Sequence, residues 1–214
     1  MSGERDPRSQ IPPARGAPKV VLASASAVRR TMLESAGVSV IVDPGRADEE
    51  EIKRAMKAAG APAEAAAEKL AELKAQRVTS RHPGALVIGA DQMLDCNGVW
   101  FDKPADRVHA AAHLAALSGK IHRLVSAAVV VRDGAPIWRQ VGVVRLTMRV
   151  LSAEFIEAYL DAVGQRALAS VGAYQLEGLG AQLFQRVEGD YFTVLGLPLL
   201  PLLGFLREHG VVRD

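Results

Sequence analysis

Val20-Val21-Leu22-Ala23-Ser24-Ala25-Ser26-Ala27-Val28-Arg29-Arg30 is the stretch that decides the fold. An apolar run of strand character stops at Ser24. The segment after Ser26 then carries Val28, Met32, Leu33 and Ala36 on one side and closes at Gly37, so a strand feeds directly into a helix. Such a junction leaves backbone N–H groups without partners and sets the positive end of the helix dipole beside them, and here serine hydroxyls and guanidinium forks add further donors. Phosphate suits this donor set best, because an arginine fork meets its oxygens two at a time. The same residues read equally well as an N-cap serine followed by two solvated arginines.

Outward from this unit the alternation of strand and helix continues. Val38 to Val42 reads as a second strand, Asp48-Glu49-Glu50-Glu51 as the acidic start of a short helix, and Ala63 to Ser80 as a longer helix burying Ala66, Leu70 and Leu73. Ala85 to Ala90 is the continuous apolar run of a central strand covered on both faces, which puts Asp91 at its carboxyl end, where open α/β sheets bind ligands. Asn97-Gly98 marks a two-residue hairpin, and Pro104 to Leu117 reads as a helix with Pro104 in its first position. Arg123 to Val131 and Ile137 to Val150 form a valine-rich hairpin turning at Asp133-Gly134. Ser152 opens another helix that ends near Gly164, Ala181 to Val187 and Tyr191 to Leu195 read as a last hairpin, and Pro198 to His209 as the terminal helix. No internal repeat is present. The fold class expected is α/β, a mixed central sheet flanked by helices with an antiparallel hairpin extension.

Composition excludes several classes of function. With 214 residues, 49% of them hydrophobic, the chain can bury a proper core, and one domain over 19–214 is the simplest reading. The net charge of +2 comes from dispersed Lys and Arg, so no basic stripe argues for long nucleic acid. Cys96 is the single cysteine, which rules out an internal disulfide and a zinc cluster of cysteines and fits a reducing cytoplasm. Met1 to Pro18 holds four prolines and no apolar core of the length a signal peptide needs, and is expected to be a disordered tail. Val194 to Leu206, the most apolar stretch near the C-terminus, is broken by glycine and proline and is too short to span a bilayer, so a soluble protein is expected.

The candidate chemistry lies at turns and helix starts. Asp91 follows the buried strand, Glu49 lies within the acidic helix start, Lys74 sits at the edge of an apolar helix stripe, and Lys103 occupies the rigid corner Asp102-Lys103-Pro104. Each has an ordinary alternative: a turn aspartate, a solvated glutamate, a snorkelling lysine or an exposed one. His109 and His113 lie four apart without a third ligand or the glutamate of a zinc protease, and His122 is given no chemistry. In combination, Arg29, Arg30, Lys74 and Lys103 with Glu49 and Asp91 make a cationic cup containing acids. Cleavage of a phosphoanhydride with a divalent metal needs such a cup. No Gly-Lys-Ser or Gly-Lys-Thr follows a glycine-rich turn, which removes the P-loop enzymes.

The motifs resemble those of the Maf family, in order and over about Lys19 to the C-terminus. They are Leu22-Ala23-Ser24-x-Ser26-x-x-Arg29-Arg30, Asp48-Glu49, Glu72-x-Lys74-Ala75, Gly89-Ala90-Asp91, Asp102-Lys103-Pro104, Ser118-Gly119-x-x-His122, Gly172-x-Tyr174-x-x-Glu177-Gly178 and Gly196-Leu197-Pro198-Leu199. The resemblance implies an elongated α/β fold similar to that of the inosine triphosphate pyrophosphatases. It implies hydrolysis of a nucleoside triphosphate to the monophosphate and pyrophosphate with Mg or Mn, a housekeeping role in the nucleotide pool, and homodimers as a common state. Asp91 falls on the family's proton acceptor, and Ser24, Ser26, Arg29, Glu49, Lys74 and Lys103 on its active-site cluster. Arg30 is expected to join the phosphate donors, and Glu49 and Asp91 to hold the metal. Substrate choice in the family turns on three positions, here Val28, Gln92 and Glu177. Gln and Glu are shared with the 7-methyl-GTP branch, but that branch's tryptophan is valine here and cannot supply cation–π attraction. A nucleotide-binding regulator of cell division with little turnover is the other expectation. Carboxylates beside a bound polyanion argue against it, because a pure binder gains nothing from them.

Overall fold

The computed structural model describes residues 16–45 and 48–213. Its sheet is organised by β3 (Leu86–Cys96), which runs past two different neighbours on one side. β1 (Val20–Leu22) pairs with it in parallel as far as Leu22 opposite Ile88, and β4 (Val99–Phe101) takes the same edge from Leu94 onward through the Asn97-Gly98 turn, whose residues both have positive φ. Between those limits, residues 89–93 are backed by β5 and have no strand on the other side among the described residues. That window holds the site.

β2 (Val40–Val42) lies parallel outside β1, while β5 (Ile121–Arg132), β6 (Ala135–Met148) and β7 (Phe184–Glu188) add antiparallel pairs, giving the order β2-β1-β3-β5-β6-β7. One face of the sheet is covered by α3 (Ala63–Thr79), whose Ala66, Leu70, Ala71 and Ala75 pack with Val21, Val87, Met93, Val125 and Val129. Small residues let the helix come close. A Cβ on Gly89 would meet the Ala71 carbonyl oxygen at 1.9 Å, so only glycine admits α3 at that point.

The other face carries two separate cores. α1 (Ala27–Ser35) and α7 (Leu199–Glu208) cover Leu22, Leu86 and Ile88, whereas α4 (Arg107–Leu117) and α5 (Ala153–Val163) cover Leu94, Leu124 and Leu146. Strand side chains alternate between faces, so Gln92 and its cross-strand partner Ser126 lie where these two cores part. Asp91 takes the α3 side.

The structure corrects four expectations. Asp91 is in mid-strand rather than at the end of one, because β5 continues to pair with β3 as far as Asp95 after β1 has stopped. The Pro104 helix begins at Arg107, where Asp106 Oδ1 caps the His109 N–H. Tyr191–Val194 is a helical turn (α6) and not a strand, because Asp190 Oδ2 accepts hydrogen bonds from both the N–H and the hydroxyl of Thr193. In α3, Lys74 is buried and Leu73 only half-buried, the reverse of a simple apolar stripe. The expected N-terminal tail lies outside the described residues up to position 15. Among the described residues no helix is long and apolar enough to cross a membrane.

Candidate active site

A cleft of about 1210 Å³ opens over the free edge of β3. Ser24, Ser26, Val28, Arg29, Glu49, Lys74, Asp91, Gln92, Lys103 and Glu177 all line it, so of the residues expected from sequence only Arg30 is left out. Arg30 points to solvent and its Nε donates to Glu34 Oε1 at 2.7 Å.

At one end, Lys74 Nζ lies between two carboxylates, 2.6 Å from Asp91 Oδ1 and 2.8 Å from Glu49 Oε1. Lys74 and Asp91 are buried, and Asp91 Oδ2 has no hydrogen-bond partner among the described residues. A buried carboxylate oxygen left bare is costly, so its usual place is a functional site where a ligand completes it. Burial pushes the Glu49 carboxyl upward, but the Lys74 hydrogen bond and charge, with Lys53 and Lys103 nearby, outweigh it and hold its pKa below the ordinary value. Glu49 opens α2 (Glu49–Ala58), which is capped by Asp48 Oδ1 and has no fully buried residue, so this helix serves to present side chains to the cleft.

Arg29 does more than the sequence suggested. Its Nε donates to Gly196 O at 2.8 Å and its Nη1 to Ser24 Oγ and Ala90 O, both at 3.0 Å, which satisfies a β3 carbonyl that β1 no longer reaches. Burial lowers its pKa, opposed by the charges of Asp91 and Glu49. Arginine remains ionised in any case. Ser26 caps α1 by accepting from the Arg29 N–H at 3.3 Å, leaving the first turn of that helix at the cleft wall.

Away from these charges the lining includes Val28, Leu124, Val171, Leu176, Val194 and Leu195, with the polar side chains of Gln92, Ser170, Tyr174, Gln175 and Glu177. The Gln92 amide nitrogen faces Ser126 Oγ at 3.0 Å, Thr193 O at 3.2 Å and Val194 O at 2.9 Å, and the Ser126 hydroxyl itself donates to Thr193 O at 2.8 Å. Every group opposite that nitrogen is an acceptor, so the amide cannot turn over. Gln92 therefore offers the cleft its carbonyl oxygen alone.

Two groups of functional residues escaped the sequence reading. Lys53 lines the cleft and its ammonium donates to Asp102, beside Lys103; burial lowers its pKa, but this bond and the Asp102, Asp91 and Glu49 charges raise it overall. Its signal was present, since it lies four residues after Glu49 and so on the same helix face. Ser126 is wholly buried, and the sequence signal was a lone polar residue in an apolar strand.

The Maf-like protein family model matches residues 19–209. The chain belongs to the Maf family. It is 59% identical to a nucleoside triphosphate pyrophosphatase of Paramagnetospirillum magneticum over 89% of this chain and 98% of that one. It is 52% identical to a 7-methyl-GTP pyrophosphatase of Rhizobium etli over 91% and 98%. Among solved structures, a nucleoside-triphosphatase / dITP/XTP pyrophosphatase from Mycobacterium abscessus superposes with a TM-score of 0.37 at 19% identity, covering 69% of this chain and 93% of that one, a likeness that carries no argument. Family membership accounts for the run of motifs. The cleft shows where they meet.

Proposed function

We propose that this protein hydrolyses nucleoside triphosphates to the monophosphate and pyrophosphate, acting on the cytoplasmic nucleotide pool, and that it prefers guanine-type bases over thymine and uracil. The observation that carries the hydrolase reading is the bare Oδ2 of buried Asp91 inside a cleft lined by Arg29, Lys53, Lys74 and Lys103. Cations bind and neutralise the triphosphate; the bare oxygen accepts a proton from the water that adds across the α–β anhydride. Lys74 binds the carboxylate through Oδ1, which leaves Oδ2 as its free oxygen.

A divalent cation fits the donor set in part. The described residues hold no cluster of three or more carboxylate, His or Cys groups, but Asp91 Oδ2 and the Glu49 carboxylate are hard oxygen donors in one cleft, and Mg or Mn commonly takes its remaining ligands from water and phosphate. Bound there, such a cation would neutralise charge on the phosphate oxygens. Glu49, with water and phosphate oxygens, is its proposed ligand, while Asp91, expected to share it, keeps Oδ2 for the proton; Ser24, Ser26 and Arg29 with the first turn of α1 are the proposed phosphate donors.

The base preference rests on polarity. Gln92 presents an acceptor, and Glu177 is a carboxylate that lines the same cleft. Guanine offers N1–H and an exocyclic amino group to two such acceptors, whereas uracil and thymine offer one N–H between two carbonyl oxygens that a carboxylate repels. Valine at position 28 gives the base an aliphatic wall, so 7-methylation should add little. Pyrophosphate release from GTP, 7-methyl-GTP, dTTP and UTP tests both parts. No release from any of them refutes the hydrolase, and dTTP or UTP as best substrate refutes only the base assignment.

A further inference from the structure

The segment that carries Glu177 has little regular structure of its own. Gly164–Ala169, Val171–Ala173 and Leu179–Leu183 are short 3₁₀ turns, and within the second the chain passes through positive φ at Gly172 and at Ala173, the latter at +64°. A non-glycine residue in that region costs free energy unless its surroundings hold it there. Two buried side chains from different elements do so. Tyr159 on α5 donates its hydroxyl to Ala173 O at 3.3 Å, and His122 on β5 bonds the Tyr174 hydroxyl at 2.7 Å through Nε2.

His122 is buried to within 1% of full enclosure, and its Nδ1 has no partner among the described residues. It lies outside the cleft lining, yet Tyr174 lines the cleft and Glu177 follows three residues later. Burial holds the His122 pKa down at about 4, so the ring is neutral near pH 7 and the bond to tyrosine is one between neutral groups.

We propose that His122 is a positioning residue for nucleobase recognition: acting through the Tyr174 hydroxyl, it fixes the 172–177 segment so that Glu177 meets the base. It acts on the base end of the cleft and leaves the phosphate end alone, since Asp91, Lys74 and Glu49 are held by α2, α3 and β3 and make no contact through it. The inference rests on the assignment of Glu177 to the base end.

The test compares GTP with ribose 5-triphosphate, which has the same phosphates and no base. In His122→Leu the ratio of kcat/KM for GTP to that for ribose 5-triphosphate should fall about 10-fold, chiefly through KM for GTP, the size expected from one lost buried hydrogen bond. His122→Gln, whose amide nitrogen can occupy the Nε2 position, should recover most of that ratio, and His122→Leu should have little further effect in a Tyr174→Phe background. A ratio unchanged in folded His122→Leu, with both substrates equally impaired or equally unaffected, overturns the proposal. If His122→Leu does not fold, Tyr174→Phe keeps the ring and its packing and must lower the ratio by itself. An unchanged ratio there refutes the role, whereas wild-type turnover of ribose 5-triphosphate equal to that of GTP refutes the assignment of Glu177 to the base.

Discussion

The two ends of the cleft are built differently. At the proposed phosphate end, charged groups face one another over short distances, Lys74 between Asp91 and Glu49, and the elements that present them, α2, α3 and β3, follow one another in the chain. At the proposed base end, Gln92, Ser126 and the Thr193 and Val194 carbonyls come from segments up to about a hundred residues apart and are joined by neutral hydrogen bonds. Charge acts over several ångströms and tolerates small shifts, but a neutral hydrogen bond needs its geometry. Chemistry should therefore depend on few residues with large effects, and base choice on many with small ones.

Asp91→Asn is the most severe way to probe that difference. Pyrophosphate release should fall by about 10²-fold or more on every substrate, because the amide matches the shape of the carboxylate and cannot take the proton. Retained activity in a protein with native circular dichroism would remove Asp91 from the mechanism.

Replacing Lys103 with alanine comes next. kcat/KM should drop by about 10-fold or more for all bases alike, with no loss of thermal stability, since the side chain is exposed and reads phosphate only. A change in the ranking of bases would erase the proposed division of the cleft. Arg29→Ala should differ by also lowering stability, about 1–3 kcal/mol by chemical denaturation, as Ala90 O and Gly196 O lose their donor. Equal stability would show that those bonds are dispensable.

Glu177→Gln should alter the ranking rather than the rate. The advantage of GTP over UTP is expected to shrink by about 5- to 10-fold, while turnover of ribose 5-triphosphate stays near wild type, because the loss is one charge-assisted contact to the base. Uniform loss across the panel would move Glu177 to the phosphate end.

The smallest effect expected lies on the approach to Glu49. Asp43, at the end of β2, accepts hydrogen bonds from Arg81 at 2.8 and 2.9 Å and pairs with His82 at 2.8 Å, and the Arg81 and His82 bonds hold its pKa at about 2. A carboxyl depressed in the folded state adds stability above its unfolded pKa of about 4, and that stability is lost as pH falls toward the folded value. Between about pH 4 and pH 2 the melting temperature of Asp43→Asn should change less steeply than that of the wild type. Parallel curves would discount the cluster.

Much of this was legible because the signals were local. The strand–turn–helix unit at Val20 to Arg30, the Asn97-Gly98 hairpin and the Ser152 cap each depend on residues within one turn of chain. Tyr191 to Leu195 was misread for a local reason as well: Asp190 and Thr193 form a helix cap that outweighs the β propensity of Tyr, Phe, Thr and Val. Nothing local shows that Arg29 bonds Ala90 and Gly196 while Arg30, its neighbour, points to solvent.

By itself the sequence determined the order of elements, the family, and the cast of charged residues, since periodicity, caps and motif spacing are properties of neighbours in the chain. The tertiary structure alone decided that β1 stops where β3 continues, so that Asp91 and Gln92 leave one strand on opposite faces at an open edge, and that the Gln92 amide shows the cleft only its oxygen. The reason is physical. Register and hydrogen-bond polarity are set by groups far apart in sequence, and they take a definite value only when the whole sheet has paired.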